Sequence, residues 1–252
     1  MPVIHVVIPF LDEDSTLETV VDRLEACRWP PGWSSRLVLI DDGSAREAAG
    51  HARALVENHT DAAIVLLRHG ANRGKGAALR TGFEHVLSIA GESDLVGVQD
   101  ADLEYDPTDL IPLVEAMGSG DPPPDAVFGN RWNDRDASTI RRVHRFGNRM
   151  LTRFSNAVTG LAVNDMECCY KLVRIPMLRK IAPELDEDRF AIEPQLAATL
   201  ARHGARVFDI PVSYDPRSYS QGKKIGLRDA TAAIRTIIRE WRKTRRLRRM
   251  NG

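Results

Sequence analysis

Five short apolar runs, separated by helical patterns and loops, divide the first 130 residues of this 252-residue chain. The runs are rich in Val and Ile and do not alternate between apolar and polar residues, which is typical of strands buried on both faces of a parallel sheet. We predict these strands at 3–9, 37–41, 63–67, 95–99 and 126–128. Such alternation predicts a doubly wound α/β sheet that binds ligands at the carboxyl ends of its strands.

Helical patterns at 15–26, 74–88 and 107–117 lie between the strands, and Ser15 with Glu18 three residues later predicts a capping box. Further along, helices are predicted at 138–158 and 193–202, the second followed by Gly204 as its C′ residue, and a strand at 205–214. We expect one globular unit at 1–226, with halves 1–131 and 132–226, followed by an amphipathic helix at 227–252. The apolar side of that helix is formed by Ala230, Ala233, Ile234, Ile237, Ile238 and Trp241.

The formal net charge of +0 conceals a basic C-terminal segment. Seven basic residues there face only Glu240: Arg239, Arg242, Lys243, Arg245, Arg246, Arg248 and Arg249. This pattern favours an anionic partner, and a membrane surface fits better than nucleic acid, for which the sequence has no recognisable binding motif. In the alternative, the apolar face packs on the globular unit and the arginines are solvated.

Cysteine content and hydropathy indicate the compartment. The three cysteines are Cys27 and the adjacent Cys168 and Cys169, an odd number that argues against a disulfide framework and for a reducing compartment. The sequence contains no run of about 18 uncharged apolar residues and no signal-peptide pattern. We therefore expect a cytoplasmic protein without a membrane span.

Acidic residues follow three of the predicted strands, at 12–13, 41–42 and 100–104. Alternate residues of an extended segment point the same way, so the side chains of Asp100, Asp102 and Glu104 are expected to converge. Carboxylate oxygens at a strand end suit Mg²⁺ or Mn²⁺ together with substrate phosphates. In the alternative they are solvated loop acids or helix caps, and Asp106 before Pro107 does have the pattern of a cap. Three clusters at successive strand ends favour the metal–diphosphate site.

Several motifs occur in a fixed order along the chain. They are Val-Val-Ile-Pro-x-x-x-Glu at 6–13, Asp-Asp-Gly-Ser at 41–44, Asn-x-Gly-Lys-Gly at 72–76, Asp-Ala-Asp-Leu-Glu at 100–104 and Asp-Met-Glu-Cys-Cys-Tyr-Lys at 165–171. In this order they resemble the inverting family 2 glycosyltransferases, and most closely the subgroup with dolichol-phosphate mannose synthase and the polyprenyl-phosphate glycosyltransferases. The resemblance spans roughly residues 3–235.

The resemblance implies a GT-A fold, Rossmann-like, with a mostly parallel central sheet flanked by helices. It also implies metal-dependent inverting transfer of a hexose from a nucleoside-diphosphate sugar, of the GDP-mannose or UDP-glucose type, to a polyprenyl or dolichyl phosphate. The enzyme would be peripheral on the cytoplasmic membrane face through its C-terminal helix, with or without a membrane-anchored partner subunit. Transfer to a saccharide or small molecule, and a catalytically inactive scaffold, are the alternatives. A sugar-phosphate nucleotidylyltransferase is disfavoured because the first loop is not glycine-rich.

The resemblance also implies residue roles, with residues 1–131 as the nucleotide-binding half and 132–226 as the acceptor half. Donor-binding residues would be Pro9, Glu13, Asp42, Lys75, Asp100, Ala101 and Asp102, with the metal on Asp100, Asp102 and Glu104. Acceptor or phosphate contacts would come from Arg131, Arg141, Arg217 and Lys223. Asp102, Arg131 and Asp165 form the catalytic set, in which Asp165 either acts as a base or orients the acceptor site.

Two departures from the family pattern limit what the resemblance implies. The usual Tyr-Asn before the glutamate of the first motif is replaced by Leu11-Asp12, which changes the pocket for the base. The late Arg-x-x-Gly-x-Ser-Lys motif is shifted here to the segment 217–224. The donor is therefore not assigned from the resemblance.

Overall fold

The computed structural model describes residues 1–59, 63–133, 139–217 and 227–250. Its strands are β1 Val3–Phe10, β2 Ser34–Asp41, β3 Ile64–Arg68, β4 Leu95–Val98, β5 Ala126–Asn130, β6 Lys171–Arg174 and β7 Val207–Pro211. Its α-helices are α1 Asp14–Glu25, α2 Arg46–Asn58, α3 Lys75–Ile89, α4 Leu110–Met117, α5 Thr139–Thr159, α6 Ile175–Ile181, α7 Ile192–Arg202 and α8 Leu227–Met250. Short 3-10 turns at Pro107–Asp109, Arg131–Asn133 and Ala182–Glu184 complete these elements.

The strands form one sheet in the order β3-β2-β1-β4-β6-β5-β7. Pairs β1–β2, β1–β4, β2–β3 and β5–β7 are parallel, whereas β6 runs antiparallel to both of its neighbours, β4 and β5. The predicted α/β fold with a mostly parallel sheet is therefore confirmed. Because β6 is reversed, its first residue lies at the edge where the parallel strands end, so the segment before it reaches the same edge as the loops after β1 and β4.

The five predicted N-terminal strands are all present, with ends that differ by a few residues. The prediction of a capping box is wrong, because α1 begins at Asp14. Ser15 therefore already lies inside the helix, and Glu13 is its N-cap. Gly204 does follow α7, with φ of 68°, in the left-handed conformation expected of a C′ glycine. The patterns did not predict α2, β6 or α6.

The last helix lies against the rest of the protein, where it packs on α7 and α5. Ala233 and Ile237 are buried, whereas Ile234 is 42% exposed. Glu240 is also buried, and it accepts hydrogen bonds from Arg202 at 2.7 Å and Lys243 at 2.8 Å. Part of the predicted apolar side is therefore covered by the protein itself, as in the alternative stated above. The division into 1–226 and 227–252 stays a prediction.

None of the helices, as far as they are described, combines the length and the apolar character that crossing a membrane requires.

Candidate active site

A cavity of about 340 Å³ opens at the edge where β1 and β4 end. It brings together ten residues singled out from the sequence: Pro9, Glu13, Asp42, Lys75, Asp100, Ala101, Asp102, Glu104, Arg131 and Arg217. Parallel strands present their carboxyl ends at one edge, which explains how loops distant in sequence meet there. The geometry places these residues together; their individual roles stay predictions.

Asp42 holds the glycine-containing loop that begins α3. Its carboxylate accepts hydrogen bonds from the backbone N–H of Arg73 at 3.0 Å and of Gly74 at 2.7 Å, and it lies 2.7 Å from Nδ1 of His69. Gly74 has φ of 101°, and a Cβ there would collide with the carbonyl oxygen of Asp188. The loop is therefore fixed from two sides, which sets the position of Lys75.

Lys75 lies between two carboxylates. Its Nζ is 2.8 Å from Oδ1 of Asp100 and 3.1 Å from Oε1 of Glu193. Burial would by itself lower the pKa of Lys75, but the charges of Asp100 and Glu193 outweigh it and raise the pKa well above its usual value. The ammonium group is therefore charged at neutral pH, and it holds the end of β4 against the start of α7.

Arg217 faces the other carboxylates of the cavity. Its guanidinium donates to both oxygens of Glu13 at 3.0 and 3.1 Å and to Oδ2 of Asp102 at 3.2 Å. Its backbone N–H donates to Glu104 at 2.9 Å. Burial, followed by the charges of Asp100 and Glu104, raises the pKa of Asp102 to about 7. The cluster therefore holds more negative charge than its own cation offsets.

The predicted three-ligand metal set is not assembled in the part of the chain that the structure describes, where no three acidic, His or Cys side chains meet around a common point. Glu104 instead accepts a hydrogen bond from the Tyr214 hydroxyl at 2.8 Å. Mg²⁺ usually takes only one or two carboxylates and completes its shell with water and phosphate oxygens. Asp100 and Asp102 fit that smaller donor set, since both line the cavity and a cation would relieve the repulsion that raises the pKa of Asp102.

Asp165 lies behind the cavity wall. It is completely buried, and its oxygens accept hydrogen bonds from Nε and the terminal NH2 of Arg131 at 2.6 and 2.8 Å. A general base needs an oxygen within reach of the acceptor, and the fork of Arg131 engages both. This placement favours the second predicted role, orientation of the acceptor site through Arg131. The Arg131 guanidinium also lies 4.8 Å from the ring centroid of Trp132 and 5.1 Å from that of Tyr214.

Two predicted phosphate contacts cannot be placed. Lys223 lies outside the described residues, as does the side chain of Arg141, although the backbone of Arg141 belongs to α5. Their roles stay predictions.

Two glutamates line the cavity that were given no role from the sequence, Glu167 and Glu193. Glu167 belongs to the quoted 165–171 motif and comes just before β6, while Glu193 is in the first turn of α7. From the sequence, functional acids were expected by one rule, that they directly follow parallel strands. A reversed strand and a helix start present their residues at the same edge without following that rule.

Comparison with known proteins shows which family the sequence matches. The model of the family described as "Glycosyl transferase family 2" matches residues 5–182. Undecaprenyl-phosphate 4-deoxy-4-formamido-L-arabinose transferase of Edwardsiella ictaluri is 29% identical over 220 residues, which are 87% of this chain and 62% of that protein. The protein of the same name from Pseudomonas paraeruginosa is 30% identical over 225 residues, 89% of this chain and 61% of its own length. The chain thus spans about three fifths of these relatives.

Solved structures share the fold. Glucosyl-3-phosphoglycerate synthase from Mycobacterium tuberculosis, in complex with Mn²⁺, UDP and glucosyl-3-phosphoglycerate, matches with a TM-score of 0.67 and 20% identity, over 95% of this chain and 80% of that one. Its complex with Mg²⁺ and UDP matches with a TM-score of 0.65 and 19% identity, over 95% and 79%. At this identity the likeness concerns the fold, and it confirms the GT-A type of architecture.

Proposed function

The chain belongs to glycosyl transferase family 2, and from that membership we propose that it transfers a hexose from a nucleoside-diphosphate sugar to a polyprenyl phosphate at the cytoplasmic face of a membrane. One observation carries the proposal: a single cavity is lined by a carboxylate cluster together with the cations Lys75, Arg131 and Arg217. Such a cavity suits two phosphorylated substrates. The names of the relatives, which are undecaprenyl-phosphate transferases, support the acceptor.

The donor would lie on the side of Pro9, Glu13 and Asp42. Its diphosphate leaves with negative charge, and Lys75 and Arg217 are cations of the cavity that can offset that charge. Bound Mg²⁺ or Mn²⁺, held by Asp100 and Asp102, would supply further Lewis-acid stabilisation of the leaving diphosphate. The structural neighbours that contain UDP with Mn²⁺ or Mg²⁺ support this assignment.

The acceptor would lie on the side of Arg131. A phosphate monoester has a second pKa of about 6, so its oxygen is already anionic near neutral pH and the transfer needs no base. In-line displacement by that oxygen then depends on position and charge compensation, with inversion at the anomeric carbon. The complete engagement of Asp165 by Arg131 agrees with such a mechanism.

A membrane surface is supported by α5. Phe146, Met150 and Phe154 are spaced four residues apart on this helix and are 68%, 50% and 38% exposed. The helix has no acidic residue, and Arg149 and Arg153 are exposed beside the apolar residues. Exposed apolar side chains flanked by arginines are typical of helices that lie on anionic membranes. We therefore transfer the proposed membrane contact from α8 to α5, whose Arg145 donates to the carbonyl oxygen of Trp132, next to Arg131.

The proposal is tested with a panel of GDP- and UDP-sugars, each with and without a short-chain polyprenyl phosphate and with and without a chelator. We expect metal-dependent transfer to the lipid phosphate. Asp102→Ala is expected to abolish transfer without unfolding the protein, whereas the control Glu57→Ala, on the exposed side of α2, retains it.

Each alternative predicts a different result of the same assay. Full activity of Asp102→Ala, or in excess chelator, contradicts the metal assignment. Transfer only to a soluble saccharide or phosphorylated small molecule contradicts the lipid acceptor. No turnover of any donor indicates an inactive scaffold.

A further inference from the structure

The charged groups that act on the Glu167 carboxyl group form two pairs. Each of two cations lies against a carboxylate, in the pairs Arg131–Asp165 and Lys171–Glu193. Within the described residues, Glu167 itself forms no ion pair. With Glu167 neutral, the two positive charges of these pairs balance the two negative ones; with Glu167 ionised, the group has an excess negative charge.

The side chain of Glu167 lines the cavity, yet its Oε1 is shielded from solvent and has no hydrogen-bond partner among the described residues. A buried polar atom without a partner is unusual in a folded protein and requires an explanation. Burial, followed by the charge of Glu193, raises the pKa of Glu167 to about 7, against the opposing effects of Lys171 and Arg131. Asp165 acts in the same direction as Glu193.

The backbone around Glu167 is held on both sides. The N–H of Met166 donates to Oγ1 of Thr152 in α5 at 3.2 Å, and the N–H of Cys169 donates to the hydroxyl of Tyr105 at 3.2 Å. Thr152 is buried, as are Met166 and Cys169. The carboxyl group therefore stays in the cavity wall, and because the side chain is only half-buried, a ligand can contact its exposed part.

We propose that Glu167, in its protonated form, donates a hydrogen bond to the phosphate of the acceptor beside Arg131. The inference rests on the proposed function and names the group that recognises its acceptor. The proton stays on the carboxyl group throughout, so Glu167 binds and does not act as a base. An ionised carboxylate at this position would repel the phosphate and have no donor to offer, whereas the neutral acid lets Arg131 and the carboxyl group bind the same anion.

The proposal predicts that acceptor binding depends on pH. Below pH 7 Glu167 is mostly protonated and the KM for the acceptor is low; above pH 7 it loses the proton and the KM rises, by up to tenfold per unit. Glu167→Gln keeps a hydrogen-bond donor that cannot ionise. It is therefore expected to have a lower KM than the wild type at pH 8 and a flatter profile, which leaves only the titration of the acceptor phosphate itself.

The experiment measures kcat and KM for a short-chain polyprenyl phosphate between pH 6 and 8.5. Glu167→Ala removes the donor and is expected to raise the acceptor KM about tenfold at pH 6.5, since a hydrogen bond to a charged group is lost. The donor KM should stay unchanged, and the control Glu115→Gln, exposed on α4, should match the wild type throughout. A large fall in kcat of Glu167→Gln, or a wild-type pH profile in that variant, overturns the proposal.

Binding of farnesyl phosphate, measured by calorimetry without any donor, separates this proposal from the proposed function. If the wild type transfers no sugar but binds farnesyl phosphate more weakly at pH 8 than at pH 6.5, and Glu167→Gln does not, the function fails and the assignment of Glu167 stands. If Glu167→Gln and Glu167→Ala bind as the wild type does at both pH values, the assignment fails whatever the activity.

Discussion

Arg217 joins three carboxylates of the cavity, since Glu13, Asp102 and Glu104 all lie within 4 Å of its guanidinium. Burial would lower the pKa of Arg217, but these partners raise it, so its charge is permanent. The planar guanidinium group of an arginine has several hydrogen-bond donors, and it can move from carboxylates to a diphosphate without losing hydrogen bonds. Under the proposed function, this makes Arg217 a residue that binds the donor.

We expect Arg217→Ala to lower kcat/KM for the sugar nucleotide by about 100-fold, the typical cost of losing one preorganised charge-stabilising group. Arg217→Lys should recover only part of this loss, because an ammonium group has no fork. Steady-state kinetics with varied donor provide the measurement, and Arg179→Ala, at an exposed ion pair with Glu92, serves as the control. A loss confined to the acceptor KM would instead place Arg217 on the other side of the cavity.

At the residue scale, the sequence predicted most of the charged residues of the cavity, because Asp42, Lys75 and the 100–104 segment follow parallel strands or begin a helix. It did not predict how these side chains pair. The ion pairs of Lys75 with Glu193 and of Arg131 with Asp165 join residues more than 30 positions apart. Such pairing depends on tertiary packing, which periodicity and motif spacing do not encode.

At the scale of elements, α8 shows the difference between a predicted apolar side and the residues that are actually buried. Ile234 and Ile237 belong to the same predicted apolar side, yet Ile237 is completely buried while Ile234 is 42% exposed. The pattern indicates which residues can be buried, whereas the packing of α8 on α7 and α5 decides which ones are.

We therefore expect Ile237→Ala to reduce the free energy of unfolding by about 2–5 kcal/mol, the cost of removing a buried aliphatic side chain. Ile234→Ala, three positions away on the same helix, should change it by less than about 0.5 kcal/mol. Urea denaturation followed by circular dichroism measures both. Equal effects of the two substitutions would show that α8 does not pack as described.

At this scale the main error of the prediction was that it omitted β6, the reversed strand. Its four residues, Lys171–Arg174, are too few for a clear period, and β4, β5 and β7 were already sufficient for a parallel sheet. Antiparallel insertion between β4 and β5 results from pairing across the whole sheet. Glu167 was missed because of its position in the chain, before a reversed strand, and not because of its residue type.

At the scale of the whole molecule, α5 and α8 present basic surfaces, but among the described side chains α5 has three large exposed apolar residues and α8 has one. Truncation after Leu227 would remove the cover of α7 along with the basic tail, so loss of membrane binding after it would have two explanations. Substitutions on the exposed side of α5 leave the packing of α8 intact and test the surface alone.

We expect the wild type to sediment with vesicles that contain anionic lipid, and less so at high salt because the arginine contribution is screened. The triple change Phe146→Ser, Met150→Ser and Phe154→Ser should abolish sedimentation while leaving transfer to a short-chain acceptor in solution unchanged. The matched control is Ile89→Ser with Phe208→Ser, which alters exposed apolar residues elsewhere.

Sedimentation of the triple variant at the wild-type level would contradict the assignment of α5 as the membrane contact. A wild-type dimer in size-exclusion chromatography that the triple variant loses, without any vesicle binding, would assign the same side of α5 to a second copy of the chain.

The reversal of β6 also affects how such an enzyme can diversify. Because the segment before β6 supplies one wall of the cavity and the loops after β1 and β4 supply the other, the two walls come from stretches of chain that share no strand. Substitutions at Glu167, the residue of this segment that lines the cavity, can therefore change one wall without altering the nucleotide wall. The fold is modular in this sense: one binding preference can be exchanged by drift or by engineering while the other is inherited unchanged.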